Sequence, residues 1–136
     1  MAAANAPQAY QQTQVMGSDR RQLVILMFQA LLRYFARAEQ AIRRKDFETK
    51  GDALMKALAI ISELMCSLDD EAGGELAVEL RRLYAWLQRQ IVEIDLRDDL
   101  NMLGDVIAIT RRLTEAWEEA LRTCQQQENA LRGVPR

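Results

Sequence analysis

Carboxylates and thiols are the side chains of this 136-residue sequence with the most chemistry to offer. Asp69-Asp70, Asp98-Asp99 and Glu118-Glu119 are adjacent acids, the residue type that acid–base catalysis or a divalent cation requires. Cys66 and Cys124 add two thiols. None is spaced for such work. Metal-binding carboxylates in helical bundles project inward with Glu-x-x-His spacing, and the chain has no His. That absence also removes the commonest general base and the usual triad partner. The cysteines make no CxxC pair, and no GxxxxGK[ST] or GxGxxG loop cradles a phosphate. Gly73-Gly74 is followed by neither Lys nor Ser/Thr. The acidic doublets therefore read as solvated helix ends and faces, and the thiols as free and mostly buried. No enzymatic activity is expected, and no metal, nucleotide or other cofactor.

With 18 Lys+Arg against 20 Asp+Glu the net charge is -2, so no global positive field holds nucleic acid or an anionic membrane. The Arg43-Arg44-Lys45 cluster suits a helix C-terminus. The longest apolar run is broken by Gln29 and Arg33, short of the ~18 residues a membrane helix needs. The start, MAAANAPQAYQQTQ, has neither the basic end nor the apolar centre of a secretory signal. A cytoplasmic location without membrane insertion is expected.

The elements that would position any site are helical. Residues 1–17, rich in Ala, Gln and Asn with Pro7 and Gly17, read as a flexible arm. Ser18 or Asp19 caps helix 1, whose stripe is Leu23, Leu26, Met27, Ala30, Tyr34, Ala38, Ala41 and Ile42 at steps of three and four. Phe47, Leu54, Leu58, Ile61, Met65 and Leu68 mark helix 2, with Gly51 allowing close approach of a neighbour. Gly73-Gly74 ends helix 2 and permits a reversal. Leu76, Leu80, Leu83, Tyr84, Leu87, Ile91 and Ile94 mark helix 3. The charged corner 95–99 leaves the next boundary open. Leu103, Val106, Ile107, Thr110, Leu113, Trp117, Ala120 and Leu121 mark helix 4. No segment alternates with period two. The expectation is an all-α, antiparallel up-down-up-down four-helix bundle over residues 18–125, with a fraying tail at 126–136.

Apolar residues are left over outside these stripes. Leu23 to Phe28 is six consecutive apolar residues, which on a helix point in every direction. The surplus on helix 1 is Val24, Ile25, Phe28, Leu31, Leu32 and Phe35; Met55, Ala59 and Ile60, Trp86, and Met102 and Ile109 add to it. A broad face is ordinary in a bundle and covers Leu31, Met55 and Ala59. It covers Ile25, Phe28, Leu32 and Phe35 less well, because they form their own stripe. Such a surface calls for a cover: a second copy of the chain, an amphipathic segment of another protein, or the arm through Tyr10 and Val15.

The string SLDDEAGGELAVELRRLYAWL, residues 67–87, resembles the helix 2 to helix 3 junction of the flagellar export chaperone family FliS. Tyr10, Gln14-Val15, Ser18 and Leu23 with Leu26-Met27-Phe28 resemble that family's arm and first helix, as do Lys56-Ala57, Ile60-Ile61 and Trp117 farther on. Asp19 stands where the family commonly has Pro, and Phe28 where it has Tyr, without that hydroxyl. The resemblance implies a cytoplasmic chaperone that binds the disordered C-terminal segment of flagellin, prevents premature polymerisation and keeps it competent for type III secretion. It implies an arm that caps part of the groove, and the flagellar export gate as a candidate second partner. The residues expected to contact the client are Ile25, Phe28, Leu32, Ile60 and Trp86, with Met27, Met55 and Met102 as adaptable contacts and Tyr10 and Val15 as the cap. A free chain that is a monomer or weak homodimer fits this; a self-associating structural bundle with no client is the alternative.

Overall fold

The computed structural model describes residues 18–133, and over them it is helical throughout: α1 (Ser18–Arg43), α2 (Phe47–Cys66), α3 (Asp70–Arg97) and α4 (Leu100–Leu131). There is no strand among the described residues. Three aspartates start three helices. Asp46 accepts from the Thr49 N–H at 3.2 Å and the Thr49 hydroxyl at 2.7 Å; Asp69 accepts from the Glu71 and Ala72 amides; Asp99 accepts from Asn101 and Met102. Each relieves orphan N–H groups of a first turn. The Thr49 hydroxyl, then its amide, hold the Asp46 carboxyl below the usual carboxylate range. The doublets at 69–70 and 98–99 are thus helix punctuation. The side chains of Ser18 and Asp19, the expected cap of α1, lie outside the described ones.

The connections are short. After α1, the Asp46 N–H donates to Ala41 O at 2.8 Å and the Lys45 N–H to Ile42 O at 3.1 Å, with Lys45 at φ 59°. This is a Schellman closure with Lys where Gly is usual. Between α3 and α4 only Asp98 and Asp99 intervene; Asp98 adopts φ 53°, a region that a short polar side chain tolerates better than most. Gly73-Gly74 does not end α2. Ser67 does, its N–H bonded to Glu63 O, and the glycines fall inside α3, which bends at Gly74 (φ 53°, ψ -128°). The helical residues do not stop at 125 either: α4 runs to Leu131, and Glu128 pairs with Arg21 of α1 at 3.5 Å.

The helices form a ring in which consecutive helices pack together and α4 closes back on α1, so α1 and α3 lie diagonally opposite; α1 makes the most extensive packing, and the α3–α4 seam is the sparsest. The core contains Phe28, Leu31 and Phe35 of α1, Leu54, Ile61 and Leu64 of α2, Tyr84, Leu87, Ile91 and Ile94 of α3, and Leu103 and Val106 of α4. Thr110 and Thr114 are buried with them, their hydroxyls donating to the carbonyls of Val106 and Thr110 one turn back.

The expected stripe of α1 holds at Ala38, Ala41 and Ile42, which are buried, but the phase of the first half differs. Phe28 and Phe35 are fully buried and Ile25 is 7% exposed, whereas Leu26 is 58% exposed. The core seam is Ile25, Phe28, Leu31, Phe35 and Ala38, with Leu32 half-buried beside it, and Val24, Met27 and Tyr34 pack against its edge. Period alone cannot choose between overlapping stripes; the choice falls to the one carrying two phenylalanines, which remove the most apolar area from water. α2 and α4 cover the two flanks of this seam, and Leu26 on the outer side of α1 stays exposed. Similarly, Phe47 is half exposed rather than inward, and Gly51 meets no neighbour, since a methyl group there finds nothing within 4 Å.

Lys50 closes one end of the bundle. It is buried, and its Nζ donates to Asp95 O at 2.8 Å and to Asp98 Oδ1 at 2.5 Å. It also lies 3.2 Å from Asp95 Oδ1 and 5.2 Å over the Phe47 ring. One ammonium thus ties the start of α2 to the negative end of the α3 dipole. Burial pushes its pKa down, but the hydrogen bonds and charges of Asp98 and Asp95 together outweigh that and raise it.

Candidate functional site

The opposite end of the bundle is open. Arg20 of α1 donates to Ser67 O at 2.8 Å, fastening the end of α2. Asp69 then starts a single turn of α3 before Gly74 bends the chain. Between this turn and the other helices lies a cleft of about 260 Å³. Val24, Leu64, Leu68, Leu80, Tyr84 and Trp117 line it, with Arg20 and Arg21 at its edge. Its floor is the core itself: Trp117 stands edge-on to Phe28, centroids 5.8 Å apart at 88°. The cleft has room for an apolar group of aromatic size, and its lining is largely apolar, as in ligand sites.

A second apolar surface runs along the α3–α4 seam. Gln88 bonded to Ser62 and Asp95 paired with Lys50 fix the α2-facing flank of α3. Leu83 and Trp86 therefore fall on the α4 side, Leu76 two turns before Leu83. On α4, Glu118, Leu121 and Arg122 line a groove with Ile25 and Leu26 of α1, which turns Met102, Ile109 and Leu113 toward α3. Leu83, Trp86, Met102 and Leu113 are only partly buried, packed against the core with one side left to solvent, and Leu76 is 59% exposed. Ile109 is half-buried. The result is a continuous apolar stripe along the sparsest seam, with Leu76 shared by the open cleft.

The five residues expected to contact a client are not brought together. Phe28 is fully buried, so the outward role assigned to it is corrected: no partner touches it while the bundle is closed; Ile25 is largely buried, its edge lining the groove with Leu121. Leu32 is half-buried on the α4 side of α1. Ile60 is half-buried on the α1-facing flank of α2, the flank where Lys56 lies 5.9 Å over the Tyr34 ring. Trp86 alone lies on the α3–α4 seam. Tyr10 and Val15 lie outside the described residues. Sequence reasoning missed Leu76, Leu83 and Leu113 as seam residues and Leu68 and Leu80 as cleft lining; the bend at Gly74 that exposes the cleft is signalled only by the paired glycines. Both cysteines are free, but Cys66 is exposed rather than buried. Among the described residues no group of three or more His, Cys, Asp and Glu is arranged to hold a metal, and no helix is long and apolar enough to cross a membrane.

Comparison with known proteins agrees with this architecture. The family described as flagellar protein FliS matches residues 3–124. The chain is 35% identical over 126 residues to the flagellar secretion chaperone FliS of Escherichia coli strain K12, covering 89% of this chain and 93% of that protein. It is 34% identical to the flagellar secretion chaperone FliSB of Pseudomonas aeruginosa, covering 87% and 97%. With the flagellar secretion chaperone FliS of Bacillus subtilis it shares 28% identity over nearly the whole of both chains. A match over nearly all of the bundle, with relatives of the same length, leaves one conclusion: this chain belongs to the FliS family of flagellar proteins.

Proposed function

We propose that this chain is a cytoplasmic flagellar export chaperone, not an enzyme, that holds the disordered C-terminal segment of flagellin until secretion. The observation that supports this most is the half-buried apolar stripe on the α3–α4 seam leading into the open cleft. A client helix laid along the seam would add a fifth apolar face to the ring, the helix-in-groove mode of recognition. Coupled folding of this kind buries on the order of 1,000–3,000 Å² and loses several kcal/mol to ordering. Apolar area spread over one seam and one cleft is suited to that demand. While covered, the client's own apolar face is unavailable to other flagellin molecules.

The arm, residues 1–17, precedes α1 directly, and Arg20, Arg21 and Val24 of the first turns line the cleft. Tyr10 or Val15 therefore has the size and tether to occupy it when no client is bound. An occupant on a short tether competes at high effective concentration yet is displaced by a tighter ligand.

Calorimetric titration of a flagellin C-terminal peptide into the full chain tests the reading. One-to-one binding is expected, weakened at least about tenfold by Trp86→Ala, the cost of removing a central aromatic anchor, with little loss of folding stability. Absence of binding contradicts the proposal. Light scattering on the free chain separates the competing self-assembling bundle, for which a stable dimer would be the signature.

A further inference from the structure

Residues 69–74 make one turn of helix that does not share the axis of the rest of α3. Asp69 caps it, and the Gly73 N–H donates to Asp69 O at 2.8 Å. Asp70 then meets Arg81, eleven residues on, at 2.8 Å. In a straight helix those two Cα atoms stand roughly 16 Å apart, beyond the combined reach of an Asp and an Arg side chain. The turn is folded back along its own helix. Gly74 makes the bend with φ 53° and ψ -128°, a combination L side chains rarely adopt, and a methyl group at Gly73 would lie 2.7 Å from the Ala77 Cβ. The two glycines have separate duties: one supplies the angle, the other the clearance.

The folded-back turn is also a wall of the cleft, which Asp69, Ala72 and Gly73 help to line. Little else holds it. Ala72 is exposed, and Asp70 and Arg81 have side chains 65% and 41% exposed.

We propose that residues 69–74 form a flap hinged at Gly74 and latched by the Asp70–Arg81 ion pair, whose release widens the cleft. The flap is local: the body of α3 beyond Ala77 stays fixed by its buried Leu80, Tyr84 and Leu87. An exposed pair shifts a two-state ratio by up to about fivefold, enough to bias a flap and too little to lock it. Gly74 lets the turn move without unwinding the helix, and Gly73 lets it close onto Ala77. The proposal rests on the chaperone reading only for what enters the cleft; the motion belongs to the chain alone, so each can fail without the other.

Trp117 lines the cleft and reports on it. In the full chain carrying Trp86→Phe, Trp117 is the only indole, and its quenching by acrylamide measures access. Asp70→Asn is expected to raise the quenching, with the open population increasing by up to about fivefold. Salt at about 1 M, which screens exposed charges, should raise it in the parent chain and have no further effect in Asp70→Asn. The swapped pair Asp70→Arg with Arg81→Asp should restore the parent value, and Gly74→Ala, which denies the bend, should give the highest quenching at unchanged helix content. Quenching unaltered by Asp70→Asn, or a salt response that persists in full without Asp70, overturns the latch.

Discussion

The two ends of this bundle are built to opposite specifications. At one end α1 closes onto α2 through a Schellman turn, two aspartates join α3 to α4, and a buried Lys50 ties α2 to α3 through a carbonyl and two carboxylates. At the other, α3 begins with a bent turn, the helices part, and an apolar cleft of about 260 Å³ opens onto the core. Both ends use aspartate caps, so capping does not distinguish them. What distinguishes them is how the cross-helix charge is used: Lys50 is buried and gathers a carbonyl and two carboxylates, whereas Arg20 makes one bond to Ser67 O from the rim of the cleft. A bundle clamped at one end by a buried charge can leave the other with only rim contacts and keep its fold, the arrangement the proposed client binding calls for.

Removing the floor of the open end should cost the most. Phe28 is fully buried and in edge contact with Trp117, so Phe28→Ala is expected to lower folding stability by about 3–5 kcal/mol in urea denaturation. A loss near zero would return Phe28 to the surface role first assigned to it. Breaking the clamp should cost less. Taking one partner from a fully buried ion pair costs about 3–5 kcal/mol, but the Asp95 and Asp98 side chains are 50% and 36% exposed. Water receives the abandoned carboxylates, and Lys50→Met is expected to cost about 1–2 kcal/mol.

The clamp also carries a pH signature. Because folding raises the pKa of Lys50 above its ordinary 10.5, its contribution is complete below that value and is lost as the pH climbs through the folded-state pKa. Stability should therefore decline above pH 10.5 in the parent chain more steeply than in Lys50→Met. Parallel profiles would mean that the ammonium contributes no net stabilisation. The smallest effect is expected next door. Gly51 is helical and has nothing within 4 Å of a built Cβ, so Gly51→Ala should stabilise the chain by about 1 kcal/mol; a loss would reveal a close neighbour at the sealed end.

How much of this was legible in the sequence depends on what each residue signals locally. The four helices and their order follow from spacing in three and four, because burial of one face imposes that period. The phase of the first half of α1 did not follow, since Leu23 to Phe28 supports two stripes and only the surrounding helices choose between them. Gly73-Gly74 announced a break; that it bends α3 instead of ending α2 depends on Ser67 and Asp69 having already made the turn. Lys50 gave no local sign of its role, because its partners lie 45 and 48 residues away. Trp86 was legible as surplus, and its companions Met102 and Ile109 were too. Their assembly into one stripe required knowing that Gln88 and Asp95 turn the other flank of α3 toward α2.

On the proposed function, the α3–α4 seam and the open end, not the clamped end, receive the client. Hydrogen exchange of the full chain with and without a flagellin C-terminal peptide tests it most directly. Added protection is expected in segments spanning residues 68–86 and 102–113, with exchange at residues 47–54 and 92–98 unchanged. Protection confined to the Lys50 end, or none on either side of the seam at saturating peptide, would rule out docking along the seam.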